Sequence, residues 1–445
     1  MKKVITYGTF DMFHEGHYNI LKRAKEYGDY LIVAVTGENY DIGRGKLSVR
    51  DSLATRMENV KASGFADEII VEEYLGQKIG DIIKYGVDVF VIGDDWRGKF
   101  DLISEYCQLV YLPRTEGISS TQIREETFDK HKIGIIADRC DDNTLVADAT
   151  KVSGFKVTGF YAEDVDLTEE FSAKYGVEDV TTNFEYFLKT VDTVYINTDL
   201  RDRYRFIKAC LEAGKHVISD APFTIDVDRE KELLDLASEK GLILMHNLKN
   251  LHTTVFNQLL WNAKAGVIGD VVRIDCSASK NDRRLKQRFY ELTSSALSTV
   301  LNIMGTDYGT ISKRVIRASD MNKSIAPEDD SIEYMSMTIP YLNEDGSPKT
   351  EVIINIGNNI RVGNKIEIVG TKGTIRLGNN WWRADAFELL PIDADQSKLF
   401  HVNYDGNGFK FIIKDMAIMM KENRVKYGLM KDELDLKITE LLQNI

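Results

Sequence analysis

The sequence predicts an α/β protein in which a doubly wound parallel sheet is followed by a second parallel-sheet domain and then by an α+β domain with an open, mostly antiparallel sheet. Three observations support this prediction. Strand-like and helical stretches alternate from Lys2 to about residue 126, and the same alternation begins again near residue 131. Beyond about residue 250, long strands and turns replace it. We therefore expect three domains, at 1–127, 131–250 and 251–445.

The first domain is indicated by short runs rich in β-branched residues, with helical patterns between them. The strand candidates are KVITYG, YLIVAVTG, EIIVEE, VDVFVIGDD and LVYLP, and the helix candidates are YNILKRAKEYG, RMENVKASGF and KIGDIIKYG. Strands that alternate with helices form parallel sheets, because the chain has to cross the sheet between two parallel strands. A charged bridge, REETFDKHK, follows the last of these strands.

The second and third domains follow from the same kind of pattern. The second domain has the strand candidates KIGIIAD, FKVTGFYAED, DTVYINTD and KHVISD, with RDRYRFIKACLEAG and DREKELLDLASEKG as helices. The third has the long strand candidates EYMSMTIPY, TEVIINIG and KIEIVGTKGTIRL, which indicate an antiparallel sheet, and helices return near the C-terminus.

The composition excludes several classes of function. The chain has 445 residues, 43% hydrophobic and 29% charged, with a formal net charge of −13. So acidic a chain repels phosphate-rich polymers, and we expect neither nucleic acid nor membrane as a partner. The four cysteines form no C-x-x-C pair, which favours reduced thiols. With no signal-peptide pattern and no apolar run of about 18 residues, the sequence predicts a cytoplasmic protein.

The most informative short segment is ITYGTFDMFHEGH, in which two histidines follow a strand-like run. If Gly8 to Phe13 form the turn into a helix, His14 and His17 lie three residues apart in its first turn, so both imidazoles can face one site. A helix N-terminus favours anions, and two imidazole donors suit a phosphate chain. The pattern indicates nucleotidyl transfer, in which a phosphate oxygen attacks an α-phosphorus. The spacing alone also fits two surface histidines or a metal-binding pair.

Two further segments narrow this interpretation. YGTFDMFHEGH resembles the H-x-G-H signature of the nucleotidylyltransferase superfamily, while GDDWRGKFD and YLPRTEGISSTQIREE are similar to segments of the glycerol-3-phosphate cytidylyltransferase family. The resemblance covers about residues 1–127. It implies a cytidylyltransferase that uses CTP and glycerol 3-phosphate, or a related polyol phosphate, for the synthesis of a cell-surface polysaccharide or a teichoic-acid-like polymer.

The resemblance also implies roles for individual residues. It assigns catalysis to His14, His17, Lys46 and Arg114. It assigns nucleotide binding to Thr9, Phe10, Gly16, Asp94, Thr115, Gly117, Ile118, Ser119, Ser120 and Thr121. Arg44, where the family has lysine, and Lys78 are assigned to the acceptor, and Asp11 is assigned to a metal ion.

The substrate implied by the resemblance brings in a metal cofactor. Mg²⁺ is expected because the charge of a triphosphate needs neutralising. Two positions depart from the family: Gly64 replaces an arginine, and Leu75 replaces a tryptophan near the acceptor pocket. The loss of a cation and an aromatic ring leaves open which polyol phosphate is the acceptor.

The remaining two thirds of the chain resembles another family. KIGIIAD, DTVYINTD, AGKHVISDAPF, GLILMHNLKNLH and IEIVGTKGTIRL occur in the order found in the glucose-fructose oxidoreductase family, in which a Rossmann-like domain precedes an open antiparallel sheet. That family admits the pyrophosphate of its cofactor at a glycine-rich loop. Here Ala137 replaces the first glycine, and Asp138, Asp141 and Asp142 would repel a dinucleotide.

Two more residues that the family uses in hydride transfer are missing. Ala221 occupies the lysine position of the E-K-P tripeptide, and Thr306 or Asp307 stands near the expected histidine. We therefore expect the region to keep the fold without the hydride chemistry, and we do not expect NAD(P) as a cofactor.

Two hypotheses remain for this C-terminal region. In the first it is a non-catalytic assembly or ligand-sensing module, and in the second it is a working reductase that makes the polyol phosphate acceptor. Titration with NADH and NADPH distinguishes them. Because the open sheet of the family is a usual dimerising face, we expect a homodimer or a higher homo-oligomer, with NNWW at 379–382 as a candidate contact. Local packing of the two tryptophans over the sheet is the alternative for this segment.

Overall fold

The computed structural model describes residues 1–43, 49–74, 76–113, 130–140, 144–152, 154–280, 288–325, 330–378, 380–394, 396–401 and 408–445. The chain divides into two compact units. The first consists of Met1–Lys130 with Lys151–Gly154, and the second of His131–Thr150 with Phe155–Ile445. The second unit therefore contains both of the regions that the sequence pattern separates at residue 250.

The first unit is a five-stranded parallel sheet with helices on both faces. Its strands are Lys3–Gly8 (β1), Tyr30–Thr36 (β2), Glu68–Glu72 (β3), Val89–Gly93 (β4) and Gln108–Leu112 (β5). Its helices are Glu15–Lys25 (α1), Glu38–Gly43 (α2), Leu53–Ala62 (α3) and Gln77–Tyr85 (α4), with short 3₁₀ turns at Asp94–Trp96 and Asp101–Glu105. The strand order is β3-β2-β1-β4-β5.

The burial of the central strands explains this layered arrangement. Residues 31–35 of β2 are fully buried, as expected for a parallel strand covered on both faces. Val4, Leu31 and Val33 pack with the helix residues Leu21 and Val60. The residues that alternate with them in the strands, such as Ile5 and Ile32, pack with Ile82 on the other face. The strand order reverses between β1 and β4, and an open α/β sheet binds its ligands at the carboxyl ends of the strands at such a point.

The second unit begins with another parallel sheet, of six strands. Its strands are His131–Ala137 (β6), Phe155–Tyr161 (β7), Asp179–Thr181 (β8), Thr193–Asn197 (β9), His216–Ser219 (β10) and Leu244–His246 (β11). Its helices are Thr144–Ala149 (α5), Val165–Tyr175 (α6), Phe184–Thr190 (α7), Leu200–Glu212 (α8) and Val227–Glu239 (α9). The order β11-β10-β9-β6-β7-β8 reverses between β6 and β9.

An eight-stranded sheet forms the rest of the second unit. Its strands are Val271–Lys280 (β12), Ser312–Arg317 (β13), Ile332–Leu342 (β14), Pro348–Asn358 (β15), Lys365–Gly370 (β16), Gly373–Leu377 (β17), Ala386–Pro391 (β18) and Lys398–His401 (β19). The helices are Lys249–His252 (α10), Thr254–Lys264 (α11), Arg288–Met304 (α12), Ala318–Met321 (α13), Phe409–Lys421 (α14) and Asp432–Gln443 (α15), and a 3₁₀ turn lies at Trp381–Arg383.

This large sheet is antiparallel except where β12 pairs with β15. The helix α12 packs on one face and is buried along most of its length, together with the inward residues of the strands. The predicted fold class is therefore confirmed in all three regions. No helix within the described ranges is long and apolar enough to span a lipid bilayer.

Candidate active site

The loop between β1 and α1 is held in a strained conformation. Phe10 has a φ of 54° and Met12 a φ of 51°, in the left-handed region that non-glycine residues adopt at a cost. The Phe10 ring is buried beneath the loop and leaves no room for a larger residue at Gly8, where a Cβ would lie 2.8 Å from the ring. The loop is thus fixed by packing at the carboxyl end of β1.

Asp11 and Asp51 lock this loop to a second segment. The buried Asp11 accepts hydrogen bonds at Oδ1 from the backbone N–H groups of Arg50 and Asp51, both at 2.9 Å. In return, Asp51 Oδ2 accepts from the Met12 backbone N–H at 2.9 Å. These bonds give Asp11 a structural task in positioning the loop, and its predicted role as a metal ligand stays a prediction.

The two histidines of the H-x-G-H segment lie together at the start of α1. His14 is the N-cap residue of the helix, and its Nδ1 accepts a hydrogen bond from the Gly16 backbone N–H at 3.0 Å. The imidazole rings of His14 and His17 stack, with 3.9 Å between their centroids and 21° between their planes. The structure thus brings the pair to one place, beside a helix N-terminus that favours anions.

Arg56 is a component of this region that the sequence analysis missed. Its side chain is completely buried, yet its Nη1 donates to the carbonyl oxygens of Thr9 at 2.9 Å and Thr36 at 2.8 Å. The same nitrogen lies 3.3 Å from Oδ2 of the buried Asp41. Arg56 therefore connects the loop after β1 with the end of β2 and with α2. A buried arginine cannot be inferred from a helix whose other positions follow an ordinary amphipathic pattern.

Lys78 and Asp94 lie at the ends of other elements of the first unit. Lys78, on α4, forms an ion pair with the buried Glu72 at the end of β3, and its Nζ lies 4.4 Å from the centroid of the Tyr7 ring. Asp94 begins the 3₁₀ turn directly after β4, the strand beside β1. Lys78 thus contacts the carboxyl end of β3, and Asp94 follows the carboxyl end of β4. The binding roles of both residues stay predictions.

Several predicted residues lie outside the described residues. They are Arg44, Lys46, Leu75, Arg114, Thr115, Gly117, Ile118, Ser119, Ser120, Thr121, Asp141 and Asp142. Gly64, which replaces an arginine of the family, lies beyond the end of α3 with a φ of 77°.

In the second unit, the turn after β6 is occupied by an arginine side chain. Arg139 Nη2 donates to Asn197 Oδ1 at 2.7 Å, and its Nη1 donates to Asp138 Oδ1 at 3.0 Å. Because Asn197 ends β9, the guanidinium bridges the two strands at which the sheet order reverses. Asp138 Oδ2 also accepts from the backbone N–H of Asp199, the N-cap residue of α8. The edge of the sheet where a dinucleotide would approach thus carries side chains bonded to each other.

A polar network follows the next strands of this sheet. Tyr195 donates its phenol O–H to Asp220 Oδ1 at 2.8 Å, and Asn247 Nδ2 donates to the same oxygen at 2.7 Å. Burial, and then the Asp220 carboxylate, raise the pKa of Tyr195 well above its ordinary value. Ala221, which stands where the family has the lysine of its E-K-P tripeptide, is buried beside this network and supplies no amine there.

An amine does lie nearby, on Lys249. Its Nζ lies 4.4 Å from the centroid of the Phe409 ring, and the side chain keeps partial access to solvent. Burial, and then the positive charge of Arg383, lower the pKa of Lys249 to about 8, against the opposing effect of Asp220. No sequence pattern indicates a role for this lysine, because it lies far along the chain from the E-K-P position and comes close to Asp220 only through the pairing of β10 with β11.

Two other sequence predictions in this unit can be placed. Thr306 and Asp307 follow the end of α12, and Asp307 is exposed. Trp381, offered as part of an aromatic contact surface, is buried, and its Nε1 donates to the Ser277 carbonyl oxygen at 3.0 Å. Trp381 therefore stabilises the eight-stranded sheet from within. The prediction that this residue is a surface contact was wrong. Trp382 is partly exposed.

Comparison with known proteins assigns the first unit to a family. Residues 5–126 match the family of cytidylyltransferase-like proteins. The chain is 51% identical over 126 residues to the glycerol-3-phosphate cytidylyltransferase of Bacillus spizizenii, covering 28% of this chain and 97% of that enzyme. The chain belongs to the cytidylyltransferase family. The glycerol-3-phosphate cytidylyltransferase of Staphylococcus aureus is 45% identical over 130 residues, which cover 29% of this cytidylyltransferase and 98% of the relative.

The second unit of this cytidylyltransferase matches a different group. Residues 137–248 match the oxidoreductase family with an NAD-binding Rossmann fold. A dTDP-3,4-didehydro-2,6-dideoxy-alpha-D-glucose 3-reductase of Actinomadura kijaniata is 31% identical over 118 residues, or 26% of this chain and 35% of the reductase. The crystal structure of a 3-ketoreductase from the same organism, in complex with TDP-benzene and NADP, covers 71% of this chain and 96% of its own, with a TM-score of 0.60 and 19% identity. That likeness shows a shared fold.

Proposed function

We propose that the first unit transfers the cytidylyl group of CTP to glycerol 3-phosphate or a related polyol phosphate, giving CDP-glycerol, or the corresponding CDP-polyol, and diphosphate. The observation that carries this proposal is the identity of 45–51% to enzymes named for this substrate, across 97–98% of their length. The stacked histidines at the N-terminus of α1 support it, because they lie where a triphosphate would be bound.

The reaction needs positioning and charge stabilisation rather than a covalent intermediate. A phosphate oxygen of the acceptor attacks the α-phosphorus of CTP, the bond to the bridging oxygen breaks, and diphosphate leaves. The His14 and His17 imidazoles donate hydrogen bonds to phosphate oxygens, on which charge grows in the transition state. The buried bonds of Arg56 and Asp11 keep the loop in place, so that little reorganisation is needed when the substrate binds.

Mg²⁺ at this site would be bound mainly by the phosphates of the substrate and only to a small extent by protein side chains. The ion usually binds one or two carboxylates together with substrate phosphates, and when bound it neutralises the charge of the triphosphate. Asp94, partly exposed at the end of β4, is the carboxylate that fits this task better. Asp11 is buried, and its Oδ1 already accepts two backbone hydrogen bonds.

The acceptor is the part of the proposal that needs the widest test. Glycine at position 64 and leucine at position 75, where the family has arginine and tryptophan, change the charge and shape expected of the acceptor pocket. We propose Lys78 and Arg44 as contacts to the acceptor phosphate. We also propose a role for the product in the synthesis of a cell-surface polysaccharide or a teichoic-acid-like polymer.

The test is diphosphate release by the full-length protein from CTP with a panel of polyol phosphates. Glycerol 3-phosphate or a close relative should give the highest kcat/KM, and ATP should replace CTP poorly. Reaction without a polyol phosphate, or equal turnover with ATP, would contradict the proposal.

For the second unit we propose a non-catalytic role in assembly or ligand sensing. Three features support this: the Arg139 bridge at the sheet edge where a dinucleotide would approach, alanine at position 221, and an aspartate or threonine in place of the family's histidine.

We further propose that the chain forms a homodimer or higher homo-oligomer. A second candidate is a reductase that makes the polyol phosphate, and the lowered pKa of Lys249, whose charge interacts with Asp220, favours it. Oxidation of NADPH with keto-polyol phosphates decides between the two.

A further inference from the structure

Three ionisable side chains meet in the interior of the second unit, and none of the roles proposed above uses them. Glu230 lies on α9, His246 ends β11 and Asp435 lies in the first turn of α15. All three are buried, and Glu230 has no exposed surface at all. One oxygen or nitrogen from each of the three lies within 4.8 Å of the others. Asp435 lies 189 residues after His246 and still farther along the chain from Glu230, so only the fold brings them together.

The bonds within this cluster leave one carboxylate unsatisfied. His246 Nε2 lies 2.7 Å from Asp435 Oδ1 and 2.9 Å from Oδ2, and 3.8 Å from Glu230 Oε1. Among the described residues, neither oxygen of Glu230 makes a hydrogen bond of ordinary geometry, although the Thr224 backbone interacts with this carboxylate. His246 Nδ1 has no hydrogen-bond partner within the same described ranges. The Phe223 ring stacks on the imidazole with 3.5 Å between centroids, which holds the ring in place.

The charges of the cluster do not balance among the described residues. Within the described ranges, no lysine or arginine forms an ion pair with Glu230 or Asp435. An ionised carboxylate without a partner in a protein interior is costly. The cluster therefore needs either protons or a metal cation.

We propose that Glu230, His246 and Asp435 bind one divalent metal ion, with Zn²⁺ as the best match, that ties α9, β11 and α15 together. One imidazole nitrogen and two carboxylates form a mixed nitrogen and oxygen donor set, which Zn²⁺ accepts at about 2.0–2.2 Å. The cation would take the place of the proton shared by His246 and Asp435 and would give Glu230 the partner it lacks. Both carboxylates could then stay ionised inside the protein.

The surroundings of the cluster provide for a fourth ligand. A cavity of about 10 Å³ lies beside two of the three side chains, His246 and Asp435, and is also lined by Tyr427 and Lys426. That volume is about what one water molecule needs. Three side chains and one water would complete the tetrahedral arrangement usual for zinc.

The experiment compares metal binding by the full-length protein with that of two variants. Wild type, Glu230→Gln and the control Glu239→Gln are stripped with a chelator, dialysed against Zn²⁺ and measured by mass spectrometry of the bound metal. Glu239 is exposed at the end of the same helix. The histidine pair of the first unit can take up zinc as well, so the relevant quantity is the difference between proteins. We expect Glu230→Gln to bind one equivalent less than wild type and Glu239→Gln to bind the same amount.

Two further readouts keep the proposal falsifiable. Zinc should raise the melting temperature of wild type by roughly 5 °C and that of Glu230→Gln by much less. The difference between the zinc-edge X-ray absorption spectra of wild type and Glu230→Gln should show nitrogen and oxygen neighbours at about 2.0–2.2 Å with the signature of a single imidazole ligand. If Glu230→Gln does not fold, anomalous scattering from wild-type crystals soaked in Zn²⁺ decides alone. Equal zinc binding by wild type and Glu230→Gln, or no anomalous signal at the cluster, means that protons balance the charges and overturns the proposal.

Discussion

His14 shows how one residue can serve the fold and the chemistry together. Its Nδ1 caps α1, so a substrate phosphate would have to be bound through the other ring nitrogen, Nε2. Replacement by alanine removes both functions, and the loss of a cap alone destabilises a helix by about 1 kcal/mol. A variant that keeps the cap is therefore needed to isolate the chemistry.

We predict that His14→Asn lowers kcat by roughly 10²-fold while the protein stays folded. Asparagine is a good N-cap residue, so α1 should begin at the same place, but no imidazole remains to stabilise the charge on the phosphate oxygens. Steady-state kinetics of diphosphate release, with circular dichroism as the control for folding, measure this. His17→Ala should show a similar loss, and near-wild-type turnover in either variant would contradict the assigned site.

We predict that Lys249 reacts as an amine at lower pH than the other lysines. Its pKa of about 8 means that a larger share of the amine is neutral near pH 8 than for an ordinary lysine. Acetylation followed over pH by peptide mass spectrometry should give a midpoint near 8 for Lys249, with the exposed Lys264 as the comparison residue. Parallel pH profiles for the two residues would contradict the prediction.

The same shift has a consequence for stability. Because the folded pKa of Lys249 lies below its unfolded value, the unfolded chain binds more protons between about pH 8 and 10.5. Lys249 should therefore make the protein more stable as the pH rises through this window, and Lys249→Met should flatten that rise. Chemical denaturation of both proteins at several pH values checks the sign. A steeper rise for the variant would show that the sign is wrong.

At the scale of elements, Arg56 decides whether the loop after β1 keeps its shape. The guanidinium on α3 bonds to the loop, to the end of β2 and to Asp41 on α2. Removing one partner of a buried ion pair typically destabilises a protein by about 3–5 kcal/mol. The effect should therefore exceed that of an exposed ion pair such as Lys25 with Asp67.

We predict that Arg56→Met raises the KM for CTP and loosens residues 5–12, whereas Lys25→Met on α1 changes neither. Methionine fills much of the space of the buried stem but leaves Asp41 and the Thr9 carbonyl oxygen without this donor. Hydrogen exchange of the loop peptides and steady-state kinetics measure the two effects. Unchanged exchange in Arg56→Met would refute the positioning role.

The elements themselves were predictable, and the contacts between their ends were not. Alternating β-branched runs and helical patterns identify both parallel sheets, because the period of a pattern is a local property of the sequence. The parallel pair of β12 and β15 was missed, since neither strand's pattern reveals its neighbour. The burial of Trp381 was one of two alternatives that the sequence left open, because an adjacent pair of tryptophans gives the same pattern on a surface as beneath a sheet.

At the scale of the whole molecule, the resemblance to two families predicted the order of the folds along the chain. The residues missing from the motifs of the second family were identified one position at a time. The structure adds a reason why such defects act together. Arg139, bonded to two other side chains, occupies the edge of the sheet where a dinucleotide would approach. Ala221 supplies no amine at the position where the family has its lysine. Repair of one position leaves the other defect in place.

We predict that Ala221→Lys in the full-length protein gives no NADPH oxidation with keto-polyol phosphates. The double variant Arg139→Gly with Ala221→Lys should bind NADPH more tightly than Ala221→Lys alone, because the bridge to Asn197 is gone. Fluorescence titration of NADPH and absorbance of the reduced nicotinamide measure binding and turnover separately. Enzyme-dependent NADPH oxidation by the unaltered protein would refute the non-catalytic role and support the reductase.

The left-handed backbone at Phe10 and Met12 bears on any attempt to engineer this enzyme. Each such residue carries a conformational penalty of about 1–2 kcal/mol, which glycine would relieve. A selection for heat resistance alone would therefore favour glycine at position 12, where no buried ring is lost. Such a variant would survive heating and yet free the loop that carries the histidines. Directed evolution of this protein has to measure turnover in every round, because at this loop a substitution that raises thermal stability should lower catalytic activity.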